Sequence, residues 1–188
     1  MASYATVDEA RIGILMGSAS DWPTMKRASE TLDSFGVTHE SNAISAHRNT
    51  KILGEYLIDA EKRGIELFIC AAGGAAHLAG VVAAHTQKPV LGCPMQAWAL
   101  DGLDSLLSTV QMPKGIPVAT FSIGGAGATN AAIFAVQMLS MSDSDLLERL
   151  TEFRKTQSES TTPLELFIFQ LLFYGPRTTM ARSSHCAF

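Results

Sequence analysis

Short apolar runs alternate along this chain with longer stretches in which apolar residues recur every three or four positions. Residues 11–16 (Arg-Ile-Gly-Ile-Leu-Met) read as a first strand. A helix is expected to follow to residue 35, with Ser20 or Asp21 as its cap, Pro23 in its first turn and Gly36 as its stop. Residues 37–44 read as a second strand, and 50–63 as a helix closed by Gly64. The third strand, 65–71, is wholly apolar apart from Glu66, and a short Ala-rich helix is expected over 75–85. A fourth strand (89–92), a helix (100–110), a fifth strand (116–121) and a helix with almost no polar face (129–139) complete the alternation. Ser142 or Asp143 opens a last amphipathic helix through Leu146, Leu147, Leu150 and Phe153.

Strands this short and apolar, each followed by a helix, predict a parallel sheet covered on both faces. The fold class expected is α/β: a three-layer α/β/α flavodoxin-like parallel sheet with right-handed crossovers and an extra C-terminal helix. Ligands of such sheets bind beyond the carboxyl ends of the strands, where the strand order reverses. One domain is expected over 1–160, with 161–188 as an apolar tail of uncertain role. Residues 164–174 are strongly apolar before Gly175-Pro176 breaks the run. That run is shorter than the roughly 20 residues a membrane helix needs. A helix docked on the core or on a neighbouring subunit is the reading preferred over membrane contact or a sequence irregularity such as a shifted frame.

Composition narrows the classes. The chain has 188 residues, 47% hydrophobic and 17% charged, which suits one compact domain that also buries surface in an oligomer. The net charge of −4 comes without a Lys/Arg cluster, so no nucleic-acid footprint is present. Cys70, Cys93 and Cys186 are too few and too scattered for a disulfide framework or a zinc site, so a cytoplasmic setting is expected. The polar N-terminus does not read as a signal peptide.

Candidate chemistry sits at three strand ends, which a parallel sheet brings to one edge. In Gly17-Ser18-Ala19-Ser20-Asp21, Gly17 permits close backbone approach, and the Ser18 and Ser20 hydroxyls stand before backbone N–H groups at a helix start. That makes an anion site without a lysine. Asp21 would repel a phosphate and is assigned to a neutral diol such as ribose, with plain helix capping as the competing reading. In Ser45-Ala46-His47-Arg48, His47 can move protons near neutral pH, Arg48 can fork onto a phosphate, and Ser45 can bond the same anion. In Gly73-Gly74-Ala75-Ala76-His77, the glycines read as a tight turn with its N–H groups toward the pocket; His77 either lines the site or is structural. Gly124-Gly125-Ala126-Gly127 lacks the spacing and the following acidic strand of a dinucleotide loop. No Walker lysine, metal-ligand spacing or nucleophile elbow is found.

These motifs resemble the N5-carboxyaminoimidazole ribonucleotide mutases of purine biosynthesis. The resemblance covers about residues 10–158 and rests on Met16-Gly-Ser-Ala-Ser-Asp-Trp22, Ser45-Ala-His-Arg48, Gly73-Gly-Ala-Ala-His-Leu78 and Asp104-Ser-Leu-Leu-Ser-Thr-Val-Gln-Met-Pro113. The Ala-Ala-His-Leu form is similar to the mutase class rather than to the related carboxylases that use free CO2. The resemblance implies substrate contacts at Ser18, Asp21 and Arg48, with Ser45 and the loop residues Gly73, Gly74, Ala75, His77 and Leu78 close by. It makes His47 the catalytic histidine. It implies a reaction that releases CO2 from a carbamate, holds it against the Gly/Ala-lined loop, and adds it to a ring carbon that loses a proton to His47. It implies a homo-octamer, which the all-apolar helix at 129–139 suits, and no cofactor, metal, biotin or nucleoside triphosphate. Two positions depart from the family: Asn49-Thr50 stands for the usual Thr-Pro, with Thr50 expected to cap the helix, and Ala79 stands for a usual Pro, with a looser pocket loop expected.

Competing functions stay in view. A carboxylase using dissolved CO2 is the nearest. A non-catalytic phospho-ribose binding module would give His47 no special role, and a flavodoxin-type electron carrier is weaker still.

Overall fold

Strand and helix alternate as the apolar runs predict. The computed structural model describes residues 4–97 and 100–160. Its elements are β1 (Ile12–Met16), a 3-10 turn (Ala19–Asp21), α1 (Trp22–Ser34), β2 (His39–Ala43), α2 (Thr50–Arg63), β3 (Leu67–Ala72), α3 (Leu78–His85), β4 (Val90–Pro94), α4 (Leu103–Val110), β5 (Ala119–Thr120), α5 (Gly125–Ser140) and α6 (Ser144–Glu159). The chain divides into two compact units, 1–150 and 151–188. The second is described only to residue 160, over the exposed end of α6. The apolar run expected to dock as a helix lies outside the described residues, as does Cys186.

The five strands are parallel in the order β2-β1-β3-β4-β5, which is the flavodoxin-like order. Ile12 pairs with His39 on one side and with Leu67 on the other, so the order reverses between β1 and β3. All five residues of β1 are buried, as expected of a central strand covered on both faces. On one face Leu15, Phe68 and Cys70 pack with Leu53, Tyr56, Leu57 and Ala60 of α2 and with Leu78, Ala79 and Val82 of α3. On the other, α1 packs against α5. Burying one such Leu contributes about 1.5–3 kcal/mol, against about 0.3–1 kcal/mol for a charge at a helix end, so packing decides where α2 sits.

Helix α2 has the predicted bounds because Gly64 takes the left-handed conformation (φ 101°) just past its last turn. At its start, however, Asn49 holds the cap position without a side-chain bond. Thr50 is instead the first helical residue and donates its hydroxyl to the Ala46 carbonyl at 2.8 Å. At its end, Arg63 forks onto Glu40 of β2 (Nη1–Oε2 2.8 Å, Nη2–Oε1 2.7 Å), whose side chain is fully buried.

Helix α1 starts as expected, with Asp21 at the cap position and Pro23 in its first turn, while other details differ for identifiable reasons. Neither Ser20 nor Asp21 caps α1 through its side chain; Ser18 caps the 3-10 turn before it, accepting the Ser20 N–H at 3.2 Å. Helix α4 starts three residues late because Asp101 and Gly102 both have positive φ. β5 is cut to Ala119–Thr120, since Pro117 has no N–H to give to the ladder. The glycine run at 124–127 turns the chain into α5. A Cβ on Gly127 would fall 1.7 Å from the Ser122 carbonyl oxygen, so close backbone packing, not a ligand, demands glycine there. The apolar character of α5 is largely met within the chain, by α1 and the sheet.

Candidate active site

The loops after β1, β2 and β3 leave the same edge of the sheet, at the point where its order reverses. They enclose a cavity of about 470 Å³, within the usual size of a small-molecule site. Ser18, Asp21, Ser45, His47, Arg48, Gly73, Ala75, His77 and Leu78 all line it. The predicted convergence is therefore present in three dimensions. Gly17, Ser20, Ala46, Ala72 and Ala97 line it as well.

His47 and His77 face each other across the cavity mouth. Nε2 of His47 lies 2.8 Å from Nδ1 of His77, with the rings nearly perpendicular. One N–H proton fits between those two nitrogens, so one ring donates and the other accepts. The pair fixes each ring's tautomer relative to the other and gives a proton on one ring a path to the second. His77 is thus a lining residue.

Arg48 is exposed and lends Nη2 to the Gly17 carbonyl at 3.4 Å, a long contact from which its fork can turn to an anion. The buried Ser45 accepts the Arg48 N–H at 3.3 Å, which shapes the turn and leaves the Ser45 hydroxyl proton to be donated. The first loop departs from the expected anion nest. The Ser20 N–H goes to Ser18 Oγ, the Ser20 hydroxyl to the same oxygen at 2.8 Å, and the Asp21 N–H to the Ser18 carbonyl at 3.1 Å. Those donors are therefore engaged, and the loop offers the Ser18 hydroxyl and the Asp21 carboxylate instead. Burial pushes the Asp21 carboxyl above the usual range, partly offset by a backbone hydrogen bond at Ser18.

The third loop corrects a second expectation. Gly74 does not line the cavity. It is buried behind the wall and donates its N–H to Ser105 Oγ of α4 at 2.8 Å. The Ala76 N–H goes to Ser108 Oγ at 3.2 Å, and the Ser108 hydroxyl points at the Gly74 carbonyl at 3.0 Å. Three of the turn's polar groups thus face α4, while Gly73 and Ala75 line the cavity and the Ala75 carbonyl accepts the His77 N–H at 2.8 Å. Ala79 is buried in α3 against the core, and the loop before it is tied down from α4. Sequence reasoning placed Ser105 and Ser108 in a motif without a role. Their spacing of three on a helix whose other face is apolar was the available signal.

Among the described residues no group of three His, Cys, Asp or Glu side chains could hold a metal ion. Cys70 and Cys93 are buried thiols; burial pushes Cys93 up to about 12 and Cys70 well above its usual value, which makes both poor nucleophiles.

A family model described as AIR carboxylase matches residues 11–160. An N5-carboxyaminoimidazole ribonucleotide mutase of Vibrio parahaemolyticus is 53% identical over 150 residues, spanning 80% of this chain and 93% of that protein. The Bacillus subtilis protein of the same name is 52% identical over 149 residues, 79% of this chain and 92% of its own length. That of Escherichia coli K12 is 50% identical over 150 residues, 80% and 89%. Among solved structures, Treponema denticola PurE aligns with a TM-score of 0.72 at 23% identity, covering 86% of this chain and 97% of that one. At that identity the likeness speaks for the fold.

Proposed function

This chain belongs to the AIR carboxylase family, and from that membership we propose that it is an N5-carboxyaminoimidazole ribonucleotide mutase, an isomerase of purine biosynthesis. The observation that carries the reading is the hydrogen-bonded His47–His77 pair set beside Arg48 in a cavity at the sheet's switch point. Arg48, with Ser45 and Ser18, binds the nucleotide's phosphate. Asp21 accepts hydrogen bonds from its ribose.

The chemistry balances without an added reagent. The carbamate N–C bond breaks, its electron pair returns to nitrogen, and nitrogen takes one proton as CO2 leaves. The electron-rich ring carbon then attacks CO2, a C–C bond forms, and the ring C–H proton departs. One proton is delivered and one recovered. His47 is the group that gives and takes it, with His77 holding its tautomer.

The enzyme works in the cytoplasm as a homo-octamer. No helix among the described residues is long and apolar enough to cross a membrane. Helix α4 supports a subunit contact, because Leu103 (50% exposed), Leu107 (48%) and Val110 (48%) form a stripe of large apolar side chains at i, i+4 and i+7.

The test supplies the carbamate substrate to pure protein without ATP and follows the ring-carboxylated nucleotide. Wild type makes it. His47→Asn binds the nucleotide but turns over about 10²–10⁴-fold more slowly, the usual worth of a general acid–base group. No product from folded wild type overturns the mutase reading, and near-normal turnover by His47→Asn removes His47 from the proton transfer. The family's description names a carboxylase, so aminoimidazole ribonucleotide with varied bicarbonate is the second arm. Faster carboxylation there would move the assignment to that reaction.

A further inference from the structure

The cavity wall formed by the 73–77 turn has an unusual division of labour. A turn of small residues ordinarily shows its backbone N–H and C=O groups to whatever lies beside it, and each such group must be paired. Here both Gly74 groups and the Ala76 N–H are taken by two hydroxyls of α4, Ser105 (fully buried) and Ser108. The single Ser108 proton also lies against the Asp104 carbonyl of its own helix, so this hydroxyl spans the helix and the turn. Neither serine lines the cavity.

We propose that Ser105 and Ser108 are positioning residues for carboxyl transfer: by drawing both Gly74 groups and the Ala76 N–H onto α4, they keep those groups out of the cavity and lower the polarity of the wall that retains the released CO2. The inference rests on the mutase reading above. CO2 is neutral and cannot be held by charge. Between the breaking of the N–C bond and the forming of the C–C bond it stays only if nothing displaces it. Backbone N–H and C=O groups turned into the cavity would hold water there. That water would compete for the same volume and convert CO2 to bicarbonate, which the ring carbon does not attack. A wall with those groups turned away holds less water, and CO2 remains within reach of the ring carbon. Arg48 and Asp21 lie on the other walls, so nucleotide binding does not depend on these serines.

The test reads where the carboxyl goes. Substrate carrying ¹³C in its carbamate is turned over by the full chain in excess unlabelled bicarbonate, with carbonic anhydrase present to equilibrate any escaped CO2. Spontaneous decarboxylation is subtracted. Wild type is expected to keep the label in the product. In Ser108→Ala the substrate is still consumed and the KM for nucleotide stays put. Label retention falls severalfold, and free aminoimidazole ribonucleotide accumulates. Ser108→Thr, which restores the hydroxyl, regains retention. Ser105→Ala, which strips only the Gly74 N–H of its acceptor, moves retention the same way and carries the test should Ser108→Ala fail to fold. If both alanine variants slow turnover yet retain the label as wild type does, the serines merely support the fold and the proposal is overturned. If wild type makes no product at all, the mutase reading falls first, a result distinct from a lost label.

Discussion

At the scale of single residues, Asp21, proposed above to meet the ribose, is held at some cost to the fold. Its carboxyl is half-buried at the cavity and no side chain among the described residues pairs with it, so burial raises its pKa over the unfolded value. A raised carboxylate disfavours the folded state wherever it is ionised. Its penalty is absent below the unfolded pKa, where both states are protonated, and sets in fully as pH rises through the folded pKa. Asp21→Asn should therefore unfold at higher urea than wild type at neutral pH. The gain should shrink to nothing as pH is lowered through the carboxylate range. The same variant should bind nucleotide more weakly, because the amide replaces one of the acceptors assigned to the ribose diol. An advantage that persists unchanged in acid would mean that something other than the buried charge is being relieved. Stability given up at a ligand-facing residue is what a functional site leads one to expect.

At the scale of elements, the best-read parts of the chain are those decided locally. The bounds of α2 follow from an apolar stripe and a stopping glycine, and β1 and β3 follow from continuous apolar runs that only a doubly covered strand needs. The convergence of Ser18, His47 and His77 was legible for the same reason, since a parallel sheet brings its strand ends to one edge. The start of α1 was legible, with Asp21 at the cap position and Pro23 in the first turn, although no side-chain bond caps it. The starts of α3 and α4 were not: they depend on α4 hydroxyls claiming Gly74 and Ala76 and on two consecutive positive-φ residues, neither of which a local pattern encodes. The join between α2 and β2 is likewise tertiary. Glu40 lies on a strand that alternates half-buried and buried, and its buried carboxylate is paired by Arg63 and by the Val7 N–H at 2.9 Å. Removing one partner strands the other, so Arg63→Met should destabilise by about 3–5 kcal/mol in urea unfolding. Arg63→Lys should recover only part of this, since an ammonium cannot make the two-pronged contact. A loss below about 1 kcal/mol, the range of an exposed pair, would mean that solvent reaches Glu40.

At the scale of the whole molecule, α4 has its polarity inverted. Ser105 and Thr109 face inward and are buried, while Leu103, Leu107 and Val110 face out. An apolar stripe on a helix normally marks the side turned to its own core. Here the inward side is committed to hydrogen bonds with the cavity loop, and Gly92 of β4 leaves room for Thr109, whose Cγ2 a Cβ at that position would meet at 2.5 Å. The outward side is the one proposed above to meet a neighbouring subunit. The proposed subunit contact and the cavity loop would thus meet on one helix, within a width of about 10 Å. Leu107→Glu sets a charge in the middle of the exposed stripe without touching the cavity, and as a monomer it should fold, because Leu107 is half exposed and outside the buried core. Light scattering after gel filtration should find wild type at the mass of eight chains and the variant well below it. Turnover should drop along with the mass, since an α4 released from its neighbour holds Ser105 and Ser108 less firmly against the turn. A variant that keeps the wild-type mass would place the subunit contact elsewhere. One that dissociates with undiminished turnover would separate assembly from the cavity loop.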